Sequence, residues 1–223
     1  RASPSHDTIR NTILSAGVDQ EANDLATFGI LSSGAVLAAG SDGADNDANT
    51  FSNNSIFRVR HGIWVRGAAA NLNDNVTIDR NLVGPAAFGS TQVGQSGIVV
   101  QEVDHCLVSG NEVRFVGGRA GDGGSPADRV GIGVASNSWP ATPGAATHVT
   151  VTRNYVHDIV EEKTFSAVGI LVAGTGAPSA NIVSNNMIQA VRANRAPGDQ
   201  GVGLGLDGGT GDVVAFNSIY MSG

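Results

Sequence analysis

Cysteine is nearly missing from this 223-residue chain: Cys106 stands alone, which excludes a disulfide scaffold and any multi-cysteine metal site. Lysine is almost as scarce. Of 13 cationic side chains only Lys163 is a lysine, and the arginines are scattered. With a formal net charge of −7 and no basic cluster, phosphate neutralisation is not provided for, and nucleic acid is excluded as an expected partner. No run of about 18 apolar residues occurs, so no transmembrane segment is expected. No secretory signal is visible either. Helical apolar spacing (i, i+3, i+4, i+7) is not sustained over any long window, which argues against amphipathic helices.

What is present is a repeated phrase in which an apolar residue precedes an Asn by three positions and another follows it by two. It reads F-S-N-N-S-I (Phe51–Ile56), I-D-R-N-L-V (Ile78–Val83), V-S-G-N-E-V (Val108–Val113), V-T-R-N-Y-V (Val151–Val156), V-S-N-N-M-I (Val183–Ile188) and V-A-F-N-S-I (Val214–Ile219), with a weaker copy at Thr8–Ile13. A Gly-aliphatic phrase alternates with it at Gly29, Gly62, Gly97, Gly131, Gly169 and Gly203, spaced 33, 35, 34, 38 and 34 residues apart. A period of 20–50 residues with short alternating apolar runs signals stacked repeats. About three short strands per period, pairing with their counterparts about 4.8 Å away, give a parallel β-helix. The expectation is an all-β solenoid of six to seven rungs, roughly 30 Å long. It forms a single domain over 1–223. Because the chain starts and stops inside the pattern, it reads as a fragment of a longer one.

The recurring residues Asn54, Asn81, Asn111, Asn154, Asn186 and Asn217 are expected to form a structural ladder. An Asn tolerates the left-handed backbone of a bend, bonds freed backbone groups and stacks its amide on the next copy. The glycines are expected to serve corners with positive φ. The phrases V-T-I-D-R-N-L-V (Val76–Val83), L-V-S-G-N-E-V (Leu107–Val113) and V-G-I-L-V-A-G (Val168–Gly174) resemble the right-handed parallel β-helix repeat of pectate-lyase-like folds and of bacterial surface proteins. The resemblance covers essentially the whole chain and implies the fold. It says little of activity, because that scaffold serves lyases, hydrolases, epimerases and adhesins alike.

In the lyases of this fold the resemblance implies calcium-binding acids on adjacent rungs with a nearby Arg or Lys as base. The outward columns two and four positions before each Asn do not supply them, and the paired aspartates of the hydrolases are missing too. Catalytic candidates reduce to one patch. Glu112 and Tyr155 share a place on successive rungs, as do Arg114 and His157, with Asp158 beside. Such a group could in principle neutralise a uronate and abstract its proton; the preferred reading is a solvated face of cross-strand charge pairs. The loop Ser41–Asn49 offers Asp42, Asp45 and Asp47 as weak candidates for Ca²⁺; no other cofactor is expected. Glu161, Glu162 and Lys163 read as a solvated turn, and Cys106 as a buried, inert thiol.

One outward column, Leu31, Trp64, Val99, Gly133, Leu171, Gly205, carries no charge in six rungs. Leu31, Trp64, Val99 and Leu171 are therefore expected to be covered, or to face a partner. The chain is expected to be an extracellular, cell-surface rod segment of bacterial type, structural or adhesive, which self-associates or belongs to a larger polypeptide. The alternative is an enzyme or binder acting on an acidic polysaccharide, lyase-like if an enzyme.

Overall fold

The computed structural model describes residues 5–16, 27–34, 44–118, 127–141, 144–175, 178–194 and 197–221. Among them there is no helix; the chain is all-β, and its named strands pair in parallel. Among the described residues no helix is long and apolar enough to cross a membrane. Asp42 lies outside the described residues.

The strand preceding each Asn builds the first sheet, in the order Thr8–Arg10, Thr50–Ser52, Thr77–Asp79, Leu107–Ser109, Thr150–Thr152, Ile182–Ser184, Val213–Ala215. Spatial order equals sequence order, so each strand pairs with its counterpart in the next repeat. Val108 thus faces Ile78 on one side and Val151 on the other. The strands following the Asn and those of the Gly phrase share a second sheet of thirteen strands, joined where Val93 pairs with Val116. Asn73–Asp74, Val103–Asp104 and Ala146–Thr147 form a small third sheet.

The apolar columns close over one core. Ile78, Val108, Val151 and Val183 from the first sheet meet Val83, Val113, Val156 and Ile188 from the second, all buried. Each such side chain contributes about 1.5–3 kcal/mol by leaving water. Since neighbouring residues on a strand point to opposite faces, a one-residue slip would expose a whole column, which pins the register.

Left-handed bends recur in each repeat, and their positions correct the sequence expectation. The left-handed residue is not the ladder Asn but the one before it: Asn53, Arg80, Gly110, Arg153, Asn185 and Phe216 have φ of 54°, 52°, 63°, 57°, 57° and 57°. Further left-handed bends recur four residues after the Asn (Arg58, Phe115, Asp158, Ala190) and six before it (Ala48, Asn75, His105, His148, Ala180). The column glycines, conversely, do not take positive φ. A Cβ on Gly97 would lie 2.3 Å from Val113 Cγ1 and 2.6 Å from the Gly131 carbonyl oxygen. Gly131 and Gly169 meet Val156 and Ile188 at 2.5 Å and 2.6 Å in the same way. Glycine stands here because a branched side chain fills the space.

Of the two alternatives for the uncharged outward column, cover by the chain itself is the one found, and the partner-facing one is corrected. Trp64, Val99 and Leu171 are buried and Leu31 half-buried within the chain itself, so they offer no free partner-facing surface. Leu171 packs with Val130, Val168 and Ala173 beneath Trp139, Ala141 and Val202. Trp139 lies over Gly205, where a Cβ would stand 2.6 Å from Cζ3 of the indole. The segment is tied down by Asp128, which accepts the Trp139 N–H at 2.7 Å, and by Asp207, which accepts the Ala141 N–H at 2.6 Å. Trp64 instead packs edge-on against Phe28 and His61, at 6.1 Å and 4.8 Å between ring centroids.

Candidate functional site

Among the described residues two clusters of reactive side chains stand on the surface. The first lies on the strands after the Asn, where Glu112 pairs in register with Tyr155 and Arg114 with His157. Arg114 Nη1 donates to Glu112 Oε1 at 2.7 Å, and the same oxygen lies 3.4 Å from His157 Nε2. His157 Nδ1 sits 2.6 Å from Asp158 Oδ2, while its ring stacks on Tyr155 at 4.2 Å. Phe115 closes the edge of His157 at 5.9 Å, backed by Phe88 at 5.1 Å.

Gln189, which donates to the Tyr155 hydroxyl, completes the patch. Sequence reasoning passed over it, although it occupies the same column as Arg114 and His157, three residues after the ladder Asn. The charges of the patch pair with one another, although the buried Arg114 Nε finds no hydrogen-bond partner among the described residues. Two carboxylates, Glu112 and Asp158, face one guanidinium and one imidazole, so no cation is held in reserve for a substrate carboxylate. Burial, then Asp158 and Glu112, raise the Tyr155 phenol above its usual range, which disfavours a tyrosinate base.

The second cluster sits at the bend after the third sheet. Asp104 Oδ2 lies 2.8 Å from His105 Nδ1, and Asp104 Oδ1 lies 2.8 Å from His148 Nδ1. The Thr147 hydroxyl donates to Oδ1 at 2.6 Å. The two imidazoles stack at 4.5 Å with planes 15° apart. Burial pushes the Asp104 carboxyl up, but the hydrogen bonds from Thr147, His148 and His105 outweigh it and hold the group at about 2. Asp74 pairs in register with Asp104, and its backbone N–H donates to Asp47 Oδ1 at 2.7 Å. Burial, then the charges of Asp47 and Asp104, raise the Asp74 carboxyl; Asp47 likewise raises that of Asp45.

Among the described residues, Asp104, His105 and His148 are the group of His, Cys, Asp and Glu whose ligand atoms all come within 4.8 Å of one another. Asp45 and Asp47, the calcium candidates, lie outside it. The signal for this cluster was in the sequence. Seven residues before the ladder Asn stand Asp47, Asp74, Asp104 and Thr147, and six before it stand His105 and His148.

The ladder residues are bound to one another. Asn154 Oδ1 accepts the backbone N–H and side-chain N–H of Asn111 at 2.9 Å and 3.0 Å; Asn154 Nδ2 donates to the Val108 carbonyl and to Asn186 Oδ1, both at 3.0 Å. The same bonds link Asn54 to Asn81, Asn81 to Asn111 and Asn186 to Asn217. Their amides are consumed by the chain. Cys106 is buried, and burial pushes its thiol up to about 12. Glu161, expected in a solvated turn, is instead fully buried beside Arg129. This is a correction whose cause is the strand Tyr155–Glu161, which continues into the interior before the turn begins.

The architecture defines an all-β chain of parallel sheets bearing two polar surface clusters. Comparison with protein-family models, with curated proteins and with solved structures finds no match.

Proposed function

We propose that this chain is a right-handed parallel β-helix of six to seven turns serving as a structural or adhesive rod segment of an extracellular, bacterial-type protein. It associates with copies of itself or takes part in a larger surface assembly. The ladder carries this reading: Asn54, Asn81, Asn111, Asn154, Asn186 and Asn217 spend their amides on one another and on backbone carbonyls, and the apolar columns beside them close over one core, as in a scaffold.

A second reading, a uronate lyase or binder, is favoured by the stacking of Tyr155 on His157 beside Arg114. It ranks lower because Glu112 and Asp158 already consume the positive charge an acidic glycan would need.

Sedimentation at rising concentration, with imaging of the particles, tests the proposal. Oligomers whose share grows with concentration are expected. A monomer at all concentrations would overturn it. A rise in ultraviolet absorbance on pectate, alginate or a glycosaminoglycan, abolished in His157→Ala, would install the lyase reading in its place.

A further inference from the structure

We propose that His105, His148 and Asp104 form a binding site for a divalent transition ion of the zinc class, which ties two neighbouring repeats together. The donors are brought together by stacking alone: His105 and His148 follow the paired residues Asp104 and Thr147 in adjacent strands of the third sheet. Each imidazole presents Nδ1 to a different oxygen of one carboxylate, at 2.8 Å in both cases. Tetrahedral ligands about 2.0–2.1 Å from an ion stand about 3.3 Å apart, about half an ångström more than these hydrogen-bonded separations. The three ligand atoms already lie within 4.8 Å of one another, so a small opening lets an ion replace the protons that now bridge nitrogen and oxygen. Thr147, bonded to Asp104 Oδ1 at 2.6 Å, fixes the carboxylate as outer-shell partners do.

Both histidines occupy left-handed bends, with φ of 52° each, in the column that His6, Ala48, Asn75 and Ala180 fill in other repeats. Their rings do not serve the core, since their side chains are 58% and 48% exposed. Exposure leaves the ion an entry path and positions for water. Asp74, in register with Asp104, and Asp47 beyond it lay a negative column leading to the site. Two imidazoles and one carboxylate suit Zn²⁺, Ni²⁺, Co²⁺ or Cu²⁺; hard cations such as Ca²⁺ prefer all-oxygen cages.

The experiment titrates Zn²⁺ into the full chain by calorimetry at neutral pH, and follows Co²⁺ through its visible absorption. One ion per chain is expected, with a rise in melting temperature on Zn²⁺ addition. His105→Asn and His148→Asn keep a side chain suited to the bend and should weaken binding at least about 100-fold, given that even outer-shell partners account for 10–100-fold. Both should also abolish the thermal shift. His157→Gln, in the other cluster, should change neither. Melting curves without metal confirm that each variant is folded, and Asp104→Asn provides an independent loss-of-binding variant. Absence of saturable binding, or binding that persists in both His→Asn variants, overturns the proposal.

Discussion

Arg129 and Glu161 meet inside the chain: Nε lies 2.8 Å from Oε2, and the side chains are 2% and 0% exposed. Glu161 Oε1 also accepts the Lys163 backbone N–H at 2.6 Å. Burial raises the Glu161 carboxyl, and Arg129 pulls it back. Removing one partner strands a buried charge. Glu161→Ala should cost about 3–5 kcal/mol in urea unfolding, whereas Arg129→Met with Glu161→Leu should recover much of that loss. Equal losses in the single and double variants would show that the pair itself, rather than its balance, matters.

His61 should make the chain acid-sensitive. Burial, then Arg60 and Arg129, lower its pKa from 6.5 to about 3, and Nδ1 lies 2.6 Å from Ser96 Oγ. The unfolded chain takes up the proton first, so stability falls as pH drops below about 6.5 and stops falling from this cause near 3. The slope is at most about 1.4 kcal/mol per pH unit. Unfolding measured from pH 7.5 to 4 should therefore be flatter in His61→Gln than in the parent.

Asn154→Ala should remove four side-chain hydrogen bonds and leave the Asn111 N–H and the Val108 carbonyl without their present partners. Each stranded group costs about 1–3 kcal/mol, so a loss of about 3 kcal/mol is expected. Unchanged stability would mean that the neighbouring amides re-pair across the gap.

Cys106 should resist thiol reagents in the native state and react after denaturation. Its sulfur is enclosed and its thiolate unavailable, the thiol being pushed to about 12. Labelling at the rate of a free thiol would place the strand one residue out of register.

The parallel pairing of Glu112 with Tyr155 and Arg114 with His157 was legible because the Asn phrase aligns the repeats and alternation does the rest. Where the glycine column and the bends were misread, the cause was the same. A sequence marks which residue is unusual, but not whether space or backbone angle demands it. Gly97 answers to Val113, in a different strand, and the left-handed residue before each Asn is as varied as Arg80 and Phe216. The cover of Leu171 by Trp139 was hidden because it joins segments that no repeat relates. The His105–His148 pair was visible in principle, in columns six and seven residues before the Asn.

Consecutive ladder asparagines are separated by 27, 30, 43, 32 and 31 residues, yet their hydrogen bonds have the same partners and nearly the same lengths. The long interval holds extra chain between Asn111 and Asn154 without disturbing the amides at either end. Insertions in this protein are therefore absorbed between bends rather than transmitted along the stack. Engineered peptides or epitope tags should be tolerated there, and a single-residue insertion inside any strand of the first sheet should not be.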